Sequence, residues 1–443
     1  MKNEKTAGQL LQEQLCEKPK NSYEIMSQED LQKAESFCED YKVFLDRAKT
    51  EREAVEAIIG MLKGAGYEEF VLGKKYAPGD KVYYNNRGKA LICATLGTEP
   101  LEQGVYIAAS HIDSPRLDLK PRPVYEDTEL ALFKTHYYGG IKKYQWTAIP
   151  LALHGVVIKR DGETVKVNIG EDEQDPIFCV TDLLPHLATE QSKRTLAEGV
   201  KGEELNILIG SRPFKDDKAS EKVKLNILSI LHEKYGMVES DFLSAELVLV
   251  PAFKAKDLGL DRSMIGAYGH DDRVCAYTSL MATLHCKAPK KTSVVIFADK
   301  EETGSEGNTG LDSRFLEYFI SDLAAPYGVE GRTVLQNSMC LSADVNVAFD
   351  PTFPDVVERR NTAYLNYGVV VTKYTGARGK SSTSDASAEF MGRVRSVLDQ
   401  AGVVWQTGEL GKVDFGGGGT VAKYIGGLSV DVVDVGVPVL SMH

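Results

Sequence analysis

Residues 294–302 read Val-Val-Ile-Phe-Ala-Asp-Lys-Glu-Glu, an apolar run that leads within two residues into a pair of adjacent glutamates, Glu301 and Glu302. The run has the length and β-branched content of a buried parallel strand, and open α/β sheets carry their chemistry just beyond the carboxyl ends of their strands. Adjacent carboxylates repel each other, so a fold that keeps both there needs positive charge nearby, most economically a metal ion. Two solvated loop acids are the ordinary alternative, and the strand before the pair argues against it.

The sequence on both sides of this run indicates an α/β domain. Apolar residues recur at helical spacing from about 28 to 66 and predict two helices, and residues 272–285 predict a further helix. Residues 91–95 and 105–109 read as buried strands. Another strand is expected just before Asp344.

The middle of the chain has a different texture, with short alternating strands and hairpin signals. Residues 156–158 and 165–167, for example, flank an Arg-Asp-Gly-Glu turn. We therefore predict an α/β domain made of residues 1–118 and 256–443, interrupted by a β-rich insertion at residues 119–255.

Length, charge and cysteine content narrow the class of protein. A chain of 443 residues is too long for one ordinary core, and its composition, 43% hydrophobic and 26% charged, is that of a soluble globular protein. The net charge of −12 and the lack of basic stripes argue against nucleic acid as a partner. No signal peptide or membrane span is apparent. The 7 cysteines form no Cys-x-x-Cys pair, so we expect reduced thiols and a cytoplasmic protein without cysteine-bound zinc.

Polar residues stand at comparable places elsewhere in the chain. His111 and Asp113 lie two apart at a predicted strand end, so both side chains point to one face and the carboxylate can orient the imidazole. Asp271 opens a predicted helix after a glycine, Asp344 follows a strand, and His443 follows an apolar segment. Each has an ordinary structural explanation by itself: a helix cap, a turn former or a frayed end.

Taken together, these residues form a set suited to divalent metal. His111, Asp271, Glu302, Asp344 and His443 supply two imidazoles and three carboxylates. Five ligands are too many for one catalytic zinc with an open position, but they serve two metals if one carboxylate bridges them. Glu301 is then free to act as the general base of a metal-assisted hydrolysis.

In this order the motifs resemble those of the aspartyl aminopeptidase family, which includes vacuolar-type aminopeptidase I. The resemblance covers nearly the whole chain and rests on five stretches: His111-Ile112-Asp113-Ser114-Pro115, His270-Asp271-Asp272-Arg273, Asp299-Lys300-Glu301-Glu302-Thr303-Gly304-Ser305, Asp344, and residues 434–438 with Ser441-Met442-His443. It implies a phosphorylase/zinc-peptidase-like α/β fold, a mixed sheet sandwiched by helices, with the β-rich insertion as a dimerisation domain.

The resemblance also implies a role for each site residue. Asp271 would bridge two metal ions, one completed by His111 and Asp344 and the other by Glu302 and His443. Glu301 would be the base and Asp113 would hold His111. Asp272 is the less favoured alternative for the bridge. The ions would be zinc, with cobalt or manganese as alternatives because these metals share the same ligands.

Partners follow from the resemblance as well. Such enzymes are homo-oligomers, large tetrahedral dodecamers built from dimers, and His186 in the insertion corresponds to a histidine that reaches into the active site of the neighbouring subunit. That contact would stabilise the transition state. A histidine satisfied at a helix start is the structural alternative. Relatives continue past the Met-His motif, so we expect the natural chain to extend beyond His443.

The predicted activity is metal-dependent removal of the amino-terminal residue from peptides with a free amino terminus, through a water activated by two metals. Asn346 stands where many aspartyl-specific relatives have histidine, so the preferred first residue stays open between acidic and neutral. One alternative is a dimetal deacylase or carboxypeptidase on the same scaffold. Another is a non-catalytic shell or cargo assembly protein.

Overall fold

The computed structural model describes residues 5–443, which form two large sheets, two short two-stranded sheets and a set of helices. The α-helices are α1 Ala7–Leu15, α2 Ser22–Ile25, α3 Gln28–Arg47, α4 Glu51–Gly64, α5 Lys222–Tyr235, α6 His270–His285, α7 Phe315–Ala324, α8 Gly331–Gln336, α9 Ala388–Gln400 and α10 Ala422–Gly426. The strands are β1 Glu68–Glu69, β2 Lys81–Asn86, β3 Ala90–Thr95, β4 Tyr106–His111, β5 Arg116–Asp127, β6 Leu130–Tyr138, β7 Leu151–Ile158, β8 Thr164–Ile169, β9 Cys179–Val180, β10 Ile207–Gly210, β11 Ala245–Pro251, β12 Lys256–Leu258, β13 Met264–Gly266, β14 Ser293–Ala298, β15 Met339–Ala343, β16 Asn346–Val347, β17 Val369–Thr372, β18 Trp405–Thr407, β19 Asp431–Gly436 and β20 Pro438–Val439.

The larger sheet has nine strands in the order β1-β2-β3-β14-β4-β15-β19-β17-β18. Its centre is parallel, since β14, β4, β15 and β19 all run in the same direction. Strands β3 and β17 pair antiparallel to their inner neighbours β14 and β19, so the sheet is mixed. The strand predicted at residues 294–298 is thus parallel on one side only.

Helices cover both faces of this sheet because its central strands are apolar on both faces. In β14, Val294 and Ile296 pack with α7, α8 and α10 on one side. Val295 and Phe297 pack with α3, α4 and α6 on the other. Side chains alternate across a strand, so a continuous apolar run supplies two cores at once. The predicted mixed sheet sandwiched by helices is confirmed.

The second sheet has seven strands in the order β8-β7-β11-β5-β6-β10-β9 and encloses a core of its own. The predicted hairpin is present as β7 and β8, which pair antiparallel. All of its strands fall between Arg116 and Pro251. The division into domains at 118/119 and 255/256 stays a prediction, and β5 runs across the first of those boundaries.

The helices predicted in the first 66 residues are α3 and α4, and the third predicted helix is α6, which begins two positions earlier than expected, at His270. Helices α3 and α4 each begin after a hydroxyl residue, Ser27 and Thr50, whose side chain accepts from the backbone of the first turn. Within residues 5–443, no helix combines the length and the apolar character needed to cross a membrane.

Candidate metal centre

Four neighbouring parallel strands end at the same edge of the large sheet. Strand β4 ends at His111, which lies opposite Ala298 at the end of β14. Strand β15 ends opposite Val435 of β19, immediately before Asp344. Because parallel strands present their carboxyl ends together, residues that are far apart in sequence meet there. The approach of β19 is so close that a Cβ on Gly436 would lie 1.5 Å from the carbonyl oxygen of Asp344, which only glycine permits.

Helix α6 brings two further carboxylates to this edge. The residue before its first turn, Gly269, has φ of +81°, and Asp271 and Asp272 follow in that turn. Unpaired backbone N–H groups give a helix start a partial positive charge, which favours carboxylates there. The predicted helix start thus lies next to the strand ends.

The first group of possible metal ligands is His111, Asp271 and Asp344. Nε2 of His111 lies 3.9 Å from Oδ2 of Asp271 and 3.7 Å from Oδ1 of Asp344. The three ligand atoms are all within 4.8 Å of one another. They form one compact pocket of mixed nitrogen and oxygen donors.

The second group is Asp271, Asp272, Glu302 and His443. Nδ1 of His443 lies 3.2 Å from Oε1 of Glu302 and 3.7 Å from Oδ2 of Asp271. Asp271 therefore belongs to both groups and faces both imidazoles. All five ligands predicted from the sequence come together.

The residues present fit a metal ion. Within residues 5–443, Nε2 of His111 and Oε1 of Glu302 are buried and have no hydrogen-bond partner. Buried polar atoms are rarely left unpaired, since each costs about 1–3 kcal/mol. Both atoms point into the groups described above. Imidazole nitrogens with carboxylate oxygens are the donor set of catalytic zinc sites.

The pKa values of the site residues also indicate that a cation belongs there. Burial, with the charge of Asp272, raises the pKa of Glu302 to about 11. Burial and Asp344 also raise the pKa of Asp271 well above its usual range. Burial by itself would lower the pKa of His111, but Asp113 and Asp344 outweigh it and raise that pKa. The protein alone supplies too little positive charge for its carboxylates, and a divalent cation would correct this deficit.

Glu301 lies beside the two groups without belonging to either of them within the described residues. It opens a short 3-10 turn, Glu301–Thr303. Burial raises the pKa of Glu301 to about 7. A carboxyl group with that pKa can take and return a proton near neutral pH.

Asp113 is fully buried and organises this turn. Its Oδ1 accepts from the backbone N–H of Glu301 at 3.0 Å and its Oδ2 from that of Glu302 at 3.2 Å. Oδ1 also lies 3.6 Å from Nδ1 of His111. Asp113 thus contacts the predicted base, one predicted ligand and the backbone of another.

Asp272, the less favoured bridge in the sequence analysis, is a buried member of the second group with two contacts that sequence reasoning missed. Oδ2 of Asp272 accepts from the hydroxyl of Ser114 at 2.5 Å and lies 3.4 Å from Arg273, whose guanidinium is fully buried. Ser114 stands in the His-x-Asp-Ser-Pro motif, so its position was the available signal. Asp272 belongs to one group only, which favours Asp271 as the shared carboxylate.

His186 and Tyr138 lie in the region of the second sheet, and only Tyr138 contacts a residue of the metal centre. His186 lies in the exposed 3-10 turn Pro185–Leu187 and, within the described chain, makes no hydrogen bond or ion pair with the centre. Tyr138, at the end of β6, donates to Oδ2 of Asp113 at 2.7 Å. Sequence reasoning missed Tyr138, because a tyrosine ahead of two glycines carries no signal of so distant a partner.

Comparison with known proteins places these residues in a family. The profile described as aminopeptidase I zinc metalloprotease (M18) matches residues 44–443. A probable M18 family aminopeptidase 1 of Clostridium acetobutylicum is 50% identical over 437 residues, which cover 97% of this chain and 94% of that protein.

Solved structures of M18 aminopeptidases have the same fold as this chain. The crystal structure of an M18 family aminopeptidase from Thermotoga maritima superposes with a TM-score of 0.92 at 45% identity, covering 96% of this chain and 94% of that one. The fold also extends to the mApe1 dodecamer of S. cerevisiae, with a TM-score of 0.73 at 21% identity, covering 93% of this chain and 92% of that one.

Proposed function

The chain belongs to the aminopeptidase I zinc metalloprotease family and is a metalloaminopeptidase, and from this we propose that it uses two divalent ions and the base Glu301 to remove the first residue of peptides. One observation carries the proposal: Asp271 is common to the two groups of ligands. Its carboxylate faces His111 at 3.9 Å and His443 at 3.7 Å. A carboxylate shared between two imidazoles can bridge a pair of metals.

In the proposed centre, His111 and Asp344 would hold one ion and Glu302 and His443 the other, with Asp271 between them. When bound, zinc would acidify a water and polarise the peptide carbonyl. Cobalt and manganese accept the same donors, so the native ion depends on availability as well as on ligand type.

Glu301 would take a proton from the attacking water as the new C–O bond forms. It would return that proton to the amine nitrogen as the C–N bond breaks. Three features support this role: the pKa of about 7, the position beside the ligands, and the backbone N–H held by Asp113 at 3.0 Å. A base fixed through its backbone keeps its direction during turnover.

We propose peptides with a free amino terminus and an acidic or neutral first residue as substrates. The neutral side chain of Asn346 is compatible with either kind of first residue. Its Nδ2 donates to Thr372 at 2.7 Å and its Oδ1 accepts from the backbone N–H of Val347 at 2.7 Å. The side chain is therefore a neutral, hydrogen-bonded amide that neither repels an acidic residue nor pairs with it as a cation would.

A peptide panel tests this function. The protein, chelated and then reloaded with one metal at a time, receives peptides that differ only in the first residue, each with an acetylated twin. We expect turnover of free peptides with acidic or neutral first residues, and none of the twins. Faster turnover of the acetylated peptides would replace the proposal with a deacylase. No turnover with any metal would leave the chain without the activity of its relatives.

The second sheet supports a dimer in which His186 completes the partner's site. Three leucines on either side of His186 in the sequence are more than half exposed, Leu184 at 63%, Leu187 at 67% and Leu196 at 72%. Exposed apolar patches of this kind mark protein interfaces. A second copy of the chain is the proposed occupant, and tetrahedral dodecamers of such dimers are the proposed assembly, the S. cerevisiae relative being a dodecamer.

Mixed dimers test the contribution of His186. We expect His186→Ala and Glu301→Gln each to be nearly inactive alone. Co-assembled, one site per mixed dimer would have an intact Glu301 and an intact partner histidine, so activity should rise above both parents. An activity equal to the average of the parents would show that His186 does not act across the interface.

We also propose that the protein works in a reducing compartment, the cytoplasm. The 7 cysteines all have free thiols, and Cys93, Cys275 and Cys340 are buried. Burial raises the pKa of the Cys340 thiol well above its usual range, which keeps it unreactive.

A further inference from the structure

We infer that Tyr138 is a positioning residue for catalysis, through which the second sheet fixes the turn that carries Glu301 and Glu302. The inference rests on the proposed function, since it assigns these two glutamates to the chemistry. Tyr138 is the last residue of β6 and contacts none of the proposed ligands through its hydroxyl. It acts on them through Asp113.

The hydroxyl of Tyr138 makes the shortest hydrogen bond to Asp113. It donates to Oδ2 at 2.7 Å, the oxygen that also accepts from the backbone N–H of Glu302 at 3.2 Å. The other oxygen accepts from the backbone N–H of Glu301 at 3.0 Å. Without the hydroxyl, Oδ2 would keep only its longest contact, and the carboxylate could rotate away from the turn.

The position of the hydroxyl is set by the second sheet. Tyr138 pairs with Arg116 across β5 and β6, and the guanidinium carbon lies 4.0 Å from the centre of the tyrosine ring. Arg116 is itself held by Glu51 at 2.9 Å and by Asp118 at 2.8 Å. Lys300, next to Glu301, lies 5.5 Å from the same ring. Both cations are attracted to the ring, which together with the strand pairing restricts its movement.

A second contact from the same strand end reaches the centre independently. Gly139 has φ of +77°, and a Cβ there would lie 3.1 Å from Oε2 of Glu302 and 3.2 Å from Pro115. The backbone after Tyr138 therefore packs directly against a proposed metal ligand. Only glycine combines this close approach with this backbone conformation at no cost.

These contacts predict an effect on turnover that exceeds the effect on binding. Residues that orient metal ligands and their neighbours typically contribute about 10–100-fold to activity or metal affinity. Displacing a catalytic group by ~1 Å slows the chemical step more than it weakens substrate binding. The ring and its packing survive in Tyr138→Phe, so that variant removes the hydroxyl alone.

The test compares Tyr138→Phe with wild type and with Tyr137→Phe, the adjacent tyrosine, whose side chain is 39% exposed. In the full-length, metal-loaded protein we expect kcat to fall about 10–100-fold in Tyr138→Phe with KM within about twofold. Hydrogen exchange in loaded and chelated protein supplies a readout separate from activity. The amides of Glu301 and Glu302 should exchange faster in Tyr138→Phe only.

A wild-type kcat together with wild-type exchange in Tyr138→Phe would overturn the inference, and so would equal effects in Tyr137→Phe. Gly139→Ala serves as a second variant. It should weaken metal binding because the added methyl crowds Glu302, and unchanged affinity would count against the strand-end contact. An inactive wild type would instead refute the proposed function, so the two failures are distinguishable.

Discussion

Two parts of the molecule bury carboxylates, and they treat them in opposite ways. The metal centre crowds acids together at the edge of the large sheet. The polar seam, formed by Lys49, Glu53, His154, Glu171 and Lys254, joins the helix start of α4 to the second sheet. In the seam every acid has a protein cation: His154 lies 2.8 Å from Glu53 and 3.1 Å from Glu171, and Lys254 lies 2.7 Å from Glu171.

The same residue type titrates in opposite directions in the two places. Burial would raise the pKa of Glu171, but hydrogen bonds from His154 and Lys254 outweigh it and bring that pKa to about 2. Burial and neighbouring acids raise the pKa of Glu302 to about 11. The difference lies in the neighbouring charge. The seam contains its own counterions, whereas the centre lacks them, and a divalent cation would supply the missing positive charge.

The largest expected effect is on turnover, and it distinguishes the proposed base from the proposed metal ligands. In Glu301→Gln we expect kcat to fall by about 10²–10⁴-fold, because the amide cannot accept the proton of the attacking water. Metal content, measured by elemental analysis, should stay at the wild-type value, since Glu301 is not a proposed ligand. The control is Glu306→Gln, an exposed glutamate in the same loop, which should keep full activity. Normal turnover in Glu301→Gln would remove it from the mechanism.

The second prediction concerns the stability of the metal-free protein. Removing a residue from a buried polar cluster usually lowers stability, and here we expect the opposite. Asp271→Asn should lower the affinity for both metals by more than about 100-fold, the upper end of what indirect contacts contribute. The chelated variant should nevertheless melt at a higher temperature than chelated wild type, because one of the crowded carboxylates is gone. Metal analysis and thermal unfolding check the two parts.

Asp272→Asn is the matched variant for this prediction. It removes the partner of Ser114 and Arg273 without touching the shared carboxylate. We expect it to destabilise the chelated protein and to leave metal bound at the site of His111, Asp271 and Asp344. Loss of both metals in Asp272→Asn, with one retained in Asp271→Asn, would transfer the bridging role to Asp272.

The smallest effect is expected in the seam and depends on pH. Burial by itself would lower the pKa of His154, but the hydrogen bonds that its ring donates to Glu171 and Glu53 raise it above its ordinary value. A raised histidine pKa adds stability that is fully present below the unfolded pKa of about 6.5 and is lost as pH rises through the folded pKa. His154→Gln should therefore lose about 1.5–3 kcal/mol at acidic pH and progressively less at alkaline pH.

Thermal unfolding of the metal-loaded protein between about pH 5 and about pH 9 measures this trend. His136→Gln, which changes an exposed histidine of the same sheet, is the control and should follow wild type at every pH. A constant difference across the range would mean that His154 is held as a neutral group and that the seam works by hydrogen bonding alone.

Much of the centre was predictable because its residues follow strands. His111, Glu302 and Asp344 stand where apolar runs stop, and Asp271 stands where a helix starts, so each has a local signal. His443 has a weaker one, the apolar segment before it, and only its place in the second site came from the family resemblance. The contact of Tyr138 with Asp113 has no local signal, since Asp113 lies in the connection after β4 and Tyr138 is 25 residues further along, at the end of β6.

The sequence by itself determined helices α3, α4 and α6 and the strands β3, β4, β14 and β15, and it determined that the central strands are buried. Val294 to Phe297 show why: alternate side chains of a continuous apolar run must all be shielded from water. Only the tertiary structure decided that β14, β4, β15 and β19 are neighbours, and hence which carboxylates share one imidazole. Strand order depends on long-range packing and on the pairing of whole strands, and neither is encoded in the residues next to any one ligand.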